Sequence, residues 1–220
     1  MSKIKLFSGM DFSGKTTIIN GINEKMPSKF SIKKKFLTPI DLIENVRKRD
    51  TWLSPEEWKP LLQENIQKDI KEYKENGLIL LDSLWIIKYL AGKIEKNDKQ
   101  DEEEIIILKE LLKKYPEMDS FYITVSMNER IKRFQARAKS GNEITGSDKL
   151  IMDTDKFERR EQIYKKIVLE YFPNTKTIDT TDIDLEQTIN VIINDNIFLK
   201  DMWKDRRFWK YLSLKIFCLW

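Results

Sequence analysis

The order of apolar and polar positions divides the chain into short apolar runs and longer segments whose apolar residues lie three or four apart. Five runs have the length and composition of strands, at residues 4–8, 35–38, 78–81, 120–125 and 176–178. Helical spacing is found between them, at residues 16–25, 55–76, 102–114, from about 128 onward and at 184–194. Strands that alternate with helices predict an α/β fold with a parallel central sheet of about five strands flanked by helices.

The third strand carries a candidate functional residue at its end. Residues 78–81 read Leu-Ile-Leu-Leu, a continuous apolar run typical of a strand buried on both faces, and Asp82 ends it. In a parallel sheet, side chains at the carboxyl ends of strands face the ligand crevice. Asp82 is therefore a candidate to hold Mg²⁺ or to orient an attacking hydroxyl; its alternative role is to cap the next helix.

A phosphate-binding loop is predicted between the first strand and the first helix. Residues 9–16 read Gly-Met-Asp-Phe-Ser-Gly-Lys-Thr and fit the pattern G-x-x-x-x-G-K-[ST]. The glycines allow a tight turn whose N–H groups point at phosphate oxygens, and the helix that follows adds the positive end of its dipole. Lys15 is predicted to reach the β- and γ-phosphates, and Thr16 to offer a hydroxyl to Mg²⁺. The predicted nucleotide contacts are Gly9, Asp11, Ser13, Gly14, Lys15, Thr16 and Thr17.

A basic helix is predicted after the fourth strand, at residues 130–137. Arg133 and Arg137 are four residues apart and so share one helix face. Arginines at this point are suited to stack on a base or to clamp a phosphoryl group during transfer. We predict a catalytic role for Arg133 and a nucleotide-binding role for Arg137; the alternative is a solvated basic helix.

The segment that follows, residues 138–155, has the character of a lid. It contains Gly141 and Gly146 together with Lys139 and Lys149. A flexible basic segment can close over phosphates and exclude water. The alternative is a surface loop without such a role.

Composition narrows the chemistry further. The 220 residues include no histidine and one cysteine, Cys218. These counts exclude a Ser-His-Asp triad, a histidine-ligated zinc site and an intramolecular disulfide. Lys and Arg number 40 against 36 Asp and Glu, and the net charge of +4 gives no argument for nucleic acid as a partner. Proton transfer must therefore fall to carboxylates, lysines or water.

The N-terminal residues do not resemble a signal peptide. Lys3 and Lys5 interrupt the first apolar residues, and Gly9 ends them before an apolar core of sufficient length can form. The most apolar long stretch, residues 77–92, contains charged side chains and is not a membrane span. We expect a soluble, cytoplasmic protein.

Two units are predicted, a domain at residues 1–197 and an aromatic, basic helical extension at residues 198–220. The extension holds three of the six tryptophans, interleaved with Arg and Lys. The favoured interpretation is a helix packed on the domain or across a homodimer interface. The alternatives are a basic amphipathic segment on a membrane surface or on nucleic acid, and a partly disordered tail.

Taken together, these motifs resemble the thymidylate kinase family of P-loop nucleoside-monophosphate kinases, over residues 3–193. The resemblance implies a three-layer P-loop kinase fold with ATP and Mg²⁺ as cofactors. It also implies that Asp11 contacts the acceptor's sugar, that Asp82 is the catalytic carboxylate and that Arg133 lies near the adenine. The matching segments are Gly9 to Thr17 with Asp11, the strand ending in Asp82, Tyr122 to Arg137, Phe157-Glu158-Arg159 with Tyr164, and Thr177-Ile178-Asp179.

The chain departs from this family on the acceptor side. The family's Asp-Arg pair is Asp82-Ser83 here, its Asn-Arg pair falls at Asn65-Ile66, and its Arg-Glu-Pro is only Leu37-Thr38-Pro39. The arginine after the aspartate holds the acceptor monophosphate in the family, so a monophosphate acceptor would need another cation in its place. The candidates are Arg47, Arg49, Lys59, Lys88 and Lys93, and for the missing lid arginine Lys139 and Lys149.

Three functions follow from this combination. The first is ATP- and Mg²⁺-dependent phosphoryl transfer to a nucleoside monophosphate, with dTMP as the first guess. The second is a deoxynucleoside kinase with an uncharged acceptor: residues 38–41 loosely match that group, although its Glu-Arg-Ser stands where this chain has Asp82-Ser83. The third is a nucleotide-binding regulator with a degenerate acceptor site.

Overall fold

A computed structural model describes residues 4–26, 30–36, 60, 64, 67, 78–97, 99–141, 144 and 148–195. Several sequence predictions lie outside these residues. Among the predicted elements these are most of the helix at 55–76, part of the lid and the extension at 198–220. Among the compared positions they are the segments at 37–41 and 65–66 and three of the candidate replacement cations, Arg47, Arg49 and Lys59. The boundary between the two predicted units also lies there.

A parallel five-stranded sheet forms the centre of the described structure. Its order is β2-β3-β1-β4-β5, so the first strand lies in the middle and the chain moves outward on both sides. Every neighbouring pair is parallel. Such a sheet opens a ligand crevice at the carboxyl end of its central strands. The strands are β1 Ile4–Ser8, β2 Phe30–Phe36, β3 Leu78–Leu84, β4 Asp119–Thr124 and β5 Lys176–Asp179.

Six helices with assigned bounds surround this sheet. They are α1 Lys15–Lys25, α2 Trp85–Lys96, α3 Glu102–Leu112, α4 Met127–Lys139, α5 Thr154–Tyr171 and α6 Leu185–Ile193. Short 3₁₀ helices occupy Lys99–Asp101 and Asp148–Met152. In the ranges that the structure describes, no helix combines the length and the apolar character needed to cross a membrane.

Two apolar layers cover the two faces of the sheet. Leu6 and Leu81 face the layer formed by α2, α3 and α5, whereas Phe7 and Leu80 face the layer formed by α1 and α6. Neighbouring side chains separate in this way because successive residues of a strand point to opposite faces. The α/β class with a parallel, helix-flanked sheet is confirmed. The sheet and the helical layer on each of its faces form the three-layer arrangement that was predicted.

The bounds of the second and third strands differ from the prediction. The second strand was expected at residues 35–38, but β2 spans Phe30–Phe36, because its polar residues pair along an edge of the sheet. The third strand was expected to end at Asp82, but β3 continues to Leu84. Parallel pairing with β2 carries it on, since Lys34 lies opposite Asp82 and Phe36 opposite Leu84. Pairing between distant segments thus overrides the local sequence signal.

The sequence prediction also missed helix α2. It follows β3 directly, after Ser83 takes a positive φ of 59°. Residues 84–92 contain one charged side chain, Lys88, so this segment was considered as an apolar stretch and its helical spacing was not recognised. The turn at Ser83 brings the start of α2 to the carboxyl edge of the sheet.

Candidate active site

The loop between β1 and α1 depends on two glycines. Gly9 has a φ of 142°, and a Cβ built there would lie 2.3 Å from the carbonyl oxygen of Ile123 on β4. Gly14 has a φ of 92° and stands at the N-cap of α1. A side chain at either position would strain the backbone or move the neighbouring strand. The loop therefore takes the tight path that the motif predicts, with the N-terminus of α1 facing the crevice.

Lys15 lies at the first position of α1 and bends back over the loop. Its Nζ donates to the carbonyl oxygen of Met10 at 2.9 Å and to Oγ of Ser13 at 3.3 Å. Burial lowers the pKa of the Lys15 ammonium from 10.5 to about 8, although the nearby carboxylates of Asp11 and Asp82 raise it. The negative charge of a bound phosphate would compensate this ammonium for the hydration that it loses on burial.

Thr16 and Asp82, the two predicted metal ligands, are in direct contact. Thr16 Oγ1 donates to Asp82 Oδ2 at 2.5 Å, and Asp82 is 7% exposed. Mg²⁺ in nucleotide sites keeps several waters and takes one or two protein oxygens together with phosphate oxygens. A hydroxyl and a carboxylate side by side at the N-terminus of α1 fit that requirement.

A cavity of about 310 Å³ opens in front of these residues. Three cations and three carboxylates line it among the described residues: Lys15, Lys88, Arg137, Asp11, Asp82 and Asp148. Its other lining residues are Gly9, Phe12, Gly14, Thr16, Thr17, Ser83 and Tyr164. The motif at the start of the chain and the aspartate of β3 are thus brought to one site, as the sequence predicts.

One of the proposed replacement cations reaches this cavity. Lys88 on α2 donates to Asp11 Oδ2 at 2.6 Å. Lys93, on the same helix, contacts Asp101 at 2.7 Å and Glu104 at 2.5 Å and does not line the cavity. The three other candidates lie outside the described residues.

Arg130 holds the loop in place, and the sequence analysis did not single it out. Its guanidinium is fully buried; Nη1 donates to the carbonyl oxygen of Asp11 at 2.8 Å and Nε to that of Val125 at 3.2 Å. It also pairs with Glu161 of α5 and lies 5.1 Å from the ring centre of Phe157. A buried arginine is stable only with such partners, so this residue is a structural link between α4, α5 and the loop.

A sequence signal for Arg130 does exist. It lies three residues after Met127 and four before Phe134, both of which pack against the core. A charged residue on the apolar face of a helix predicts a buried charge with dedicated partners.

Arg133 lies beside a second cavity, of about 190 Å³. Its Nη1 donates to the carbonyl oxygen of Phe12 at 3.3 Å. Neither Lys15 nor Asp82 lines this cavity, so the position suits contact with a base better than contact with reacting phosphates. The lining residues are Ser13, Gly14, Thr17, Ile18, Arg133, Thr180, Ile183, Leu185 and Thr188.

Arg137 lies directly before the predicted lid and is the cation on that side of the larger cavity. It lines the first cavity, with its guanidinium 5.9 Å from the ring centre of Phe12 and 3.8 Å from Asp148 Oδ1. Lys139 and Lys149, the candidates for a lid cation, are exposed and do not line this cavity. The two arginines expected to share one face of α4 therefore border two different cavities.

Tyr164 of α5 forms part of the cavity wall. It is 1% exposed, and burial raises the pKa of its hydroxyl, so it remains neutral.

Comparison with known proteins relates this arrangement to solved structures. No family model matches the chain, and no curated protein matches it. A thymidylate kinase from Candida albicans matches with a TM-score of 0.64 and 19% identity, over 91% of this chain and 93% of that one. A deoxyadenosine kinase from M. mycoides with bound dATP matches with a TM-score of 0.59 and 19% identity, over 86% and 97%.

A thymidylate kinase from Ehrlichia chaffeensis matches as well, with a TM-score of 0.52 and 18% identity, over 87% of this chain and 97% of that one. The chain has the fold of thymidylate and deoxynucleoside kinases. The resemblance drawn from the sequence is thus confirmed for the fold. At 18–19% identity the acceptor has to be argued from this chain's own residues.

Proposed function

We propose that this protein is an ATP- and Mg²⁺-dependent kinase that transfers the γ-phosphoryl group to a nucleoside monophosphate, with dTMP as the first acceptor to test. The observation that carries the proposal is the contact between Thr16 and Asp82 beside Lys15, which is half-buried as a residue. A hydroxyl, a carboxylate and a cation at a helix N-terminus form a site for a metal-bound polyphosphate.

The chain's own groups would act by position and charge. The loop amides and Lys15 would bind the β- and γ-phosphates, and Thr16 and Asp82 would hold Mg²⁺, which neutralises charge on the transferring group. Arg137 would approach the phosphates from the lid side. No covalent intermediate is needed, which agrees with a chain that lacks histidine.

The two cavities suggest how the substrates divide. The smaller cavity, with Arg133, would take the base of the donor, as its position beyond Phe12 and Gly14 suggests. The larger cavity would take the donor's phosphates and the acceptor. Both substrates then meet at Lys15 and Asp82, where in-line transfer requires them.

A second candidate function is a kinase for uncharged deoxynucleosides. Ser83 favours it, because this residue lines the larger cavity without a charge. The fold is compatible, since a deoxyadenosine kinase is among the similar structures. In that case Asp82 would accept the proton of the attacking hydroxyl.

The deciding experiment is a transfer assay with ATP, Mg²⁺ and a panel of deoxynucleosides and their monophosphates, with separation of the products. Lys15→Met is the control for the loop, and Lys132→Met, an exposed lysine on α4, is the matched control for the loss of a charge. Turnover of a monophosphate that Lys15→Met abolishes and Lys132→Met preserves supports the proposal.

Turnover of unphosphorylated nucleosides alone would establish the second function. ATP binding without transfer to any acceptor would favour the nucleotide-binding regulator. The homodimer, the cytoplasmic location and the role of residues 198–220 remain predictions, and size-exclusion chromatography of the full chain is the first check of the homodimer.

A further inference from the structure

The ion pair between Lys88 and Asp11 lies at the wall of the larger cavity. Lys88 belongs to the first turns of α2, and its Nζ lies 2.6 Å from Oδ2 of Asp11 in the loop. The side chain of Lys88 is 30% exposed and that of Asp11 is 23% exposed. Both line the cavity, so a ligand in it would meet this pair directly.

Other ion pairs of α2 join it to neighbouring helices. Arg160 of α5 contacts Glu95, and Lys93 contacts Asp101 and Glu104 at the start of α3. These pairs pack elements together. The pair of Lys88 is different because it joins α2 to the phosphate-binding loop, across space that a ligand could enter.

Two ammonium groups, those of Lys15 and Lys88, line the same cavity. Lys15 is hydrogen-bonded to the loop, to Met10 and Ser13, and in the proposed function it binds the donor's phosphates. Lys88 lies close enough for its positive charge to lower the pKa of the Lys15 ammonium. An anion placed between the two ammonium groups would be attracted by both.

We propose that Lys88 binds the phosphate group of the acceptor, and that this lysine makes nucleoside monophosphates, rather than uncharged nucleosides, the acceptor class. The inference rests on the proposed function, because it assigns the acceptor side of that same site. On binding, the Lys88 ammonium exchanges Asp11 for a phosphate oxygen. Both hydrogen bonds are charge-assisted, but a partly exposed ion pair contributes little to stability and a phosphate dianion carries more charge than a carboxylate, so the exchange costs little.

The transfer step balances without a base. The acceptor's phosphate is close to dianionic above pH 7, because its second pKa is about 6. One of its oxygens forms a bond to the γ-phosphorus of ATP, while the bond from that phosphorus to the β,γ-bridging oxygen breaks. The electron pair of the broken bond leaves with ADP, and the acceptor becomes a nucleoside diphosphate.

The test compares Lys88→Met with Lys96→Met, an exposed lysine at the end of α2. Steady-state kinetics are measured for dTMP, for thymidine and for ATP, with a thermal melt of each variant. We expect Lys88→Met to raise the KM for the monophosphate on the order of 100-fold, since a charged partner of a phosphate is lost. The KM for ATP should change less than about threefold, and Lys88→Arg should keep most of the monophosphate activity because its charge remains.

The outcomes separate this inference from the proposed function. If the unmodified protein uses monophosphates and Lys88→Met keeps the same monophosphate KM, the inference fails and the proposed function stands. A rise in the KM for ATP alone would place Lys88 at the donor and overturn the inference. If the unmodified protein uses no monophosphate, the proposed function fails first. Should Lys88→Met not fold, Lys88→Gln supplies the same comparison, because it also removes the charge.

Discussion

Thr16 Oγ1 and Asp82 Oδ2 lie 2.5 Å apart, although 66 residues separate them along the chain. The contact exists because β1 and β3 are parallel neighbours, with Phe7 opposite Asp82 at their carboxyl ends. A shift of one residue in this pairing would turn Asp82 to the other face of the sheet. The predicted metal site therefore depends on strand register as much as on the two residues.

Removal of the Thr16 hydroxyl should impair catalysis through the metal. We expect Thr16→Val to lower kcat about 100-fold and to raise the Mg²⁺ concentration needed for half-maximal rate. Thr16→Ser keeps a hydroxyl and should retain most of the activity. Turnover measured across a Mg²⁺ titration checks this, and an unchanged Mg²⁺ dependence in Thr16→Val would contradict the assignment.

The affinity for ATP should fall as the pH rises past 8. The pKa of Lys15 is lowered to about 8 by burial, so the free protein loses this positive charge above that pH. Because phosphate binding favours the charged form, affinity should drop roughly tenfold between pH 7 and pH 9. Calorimetric titration with ATP and Mg²⁺ measures it. Lys15→Arg stays charged and should give a flat profile, and a parallel slope in that variant would assign the effect to another group.

Replacement of Arg130 should destabilise the fold. Arg130→Met leaves Glu161 without its buried partner and the carbonyl of Asp11 without its donor. We expect a loss of about 3–5 kcal/mol in the free energy of unfolding, measured by urea denaturation. Lys132→Met, an exposed change on the same helix, should cost less than about 0.5 kcal/mol.

The partner of Arg130 supplies a second test. Glu161→Gln in the Arg130→Met background should recover part of the lost stability, because it removes the unpaired charge. A loss below about 1 kcal/mol for Arg130→Met alone would show that Arg130 is not the link inferred from its contacts.

Substitution by alanine should have a larger effect at Gly9, which is closely surrounded by other atoms, than at Gly141, which is not. A Cβ at Gly9 would lie 2.3 Å from the carbonyl oxygen of Ile123, whereas one at Gly141 has no atom within 4 Å. Gly141→Ala should cost only the strain of its positive φ, about 1 kcal/mol. Gly9→Ala should cost more and weaken ATP binding, since the loop must move. Thermal melts with and without ATP check this, and equal losses for the two would contradict it.

Arg133→Ala tests whether this arginine contacts the donor or takes part in the chemistry. Its place beside the smaller cavity predicts about a tenfold rise in the KM for ATP with little change in kcat. Lys132→Ala, the exposed neighbour, is the matched control. A fall in kcat at unchanged KM would instead support the catalytic role that the sequence analysis predicts for Arg133.

Much of the fold and the loop that lines the larger cavity follow from local sequence. The loop motif, the aspartate after the apolar run and the alternation of strands and helices each depend on residues close together in the chain. The motif is informative because few sequences satisfy the steric demands of Gly9 and Gly14. By contrast, the start of β2 and the end of β3 depend on pairing between segments more than 40 residues apart.

The sequence by itself determined that the chain is an α/β protein with a tight glycine-containing loop between its first strand and its first helix, because periodicity and steric requirements act within a few residues. The tertiary structure alone decided that Lys88, rather than Lys93, faces Asp11 in the cavity, and that Arg130 is buried between two helices and the loop. Both results depend on where β3 turns into α2 and how α4 packs on α5. Such contacts join distant parts of the chain, and their energies depend on burial and on the distance between the groups. The order of residues along the chain contains neither quantity.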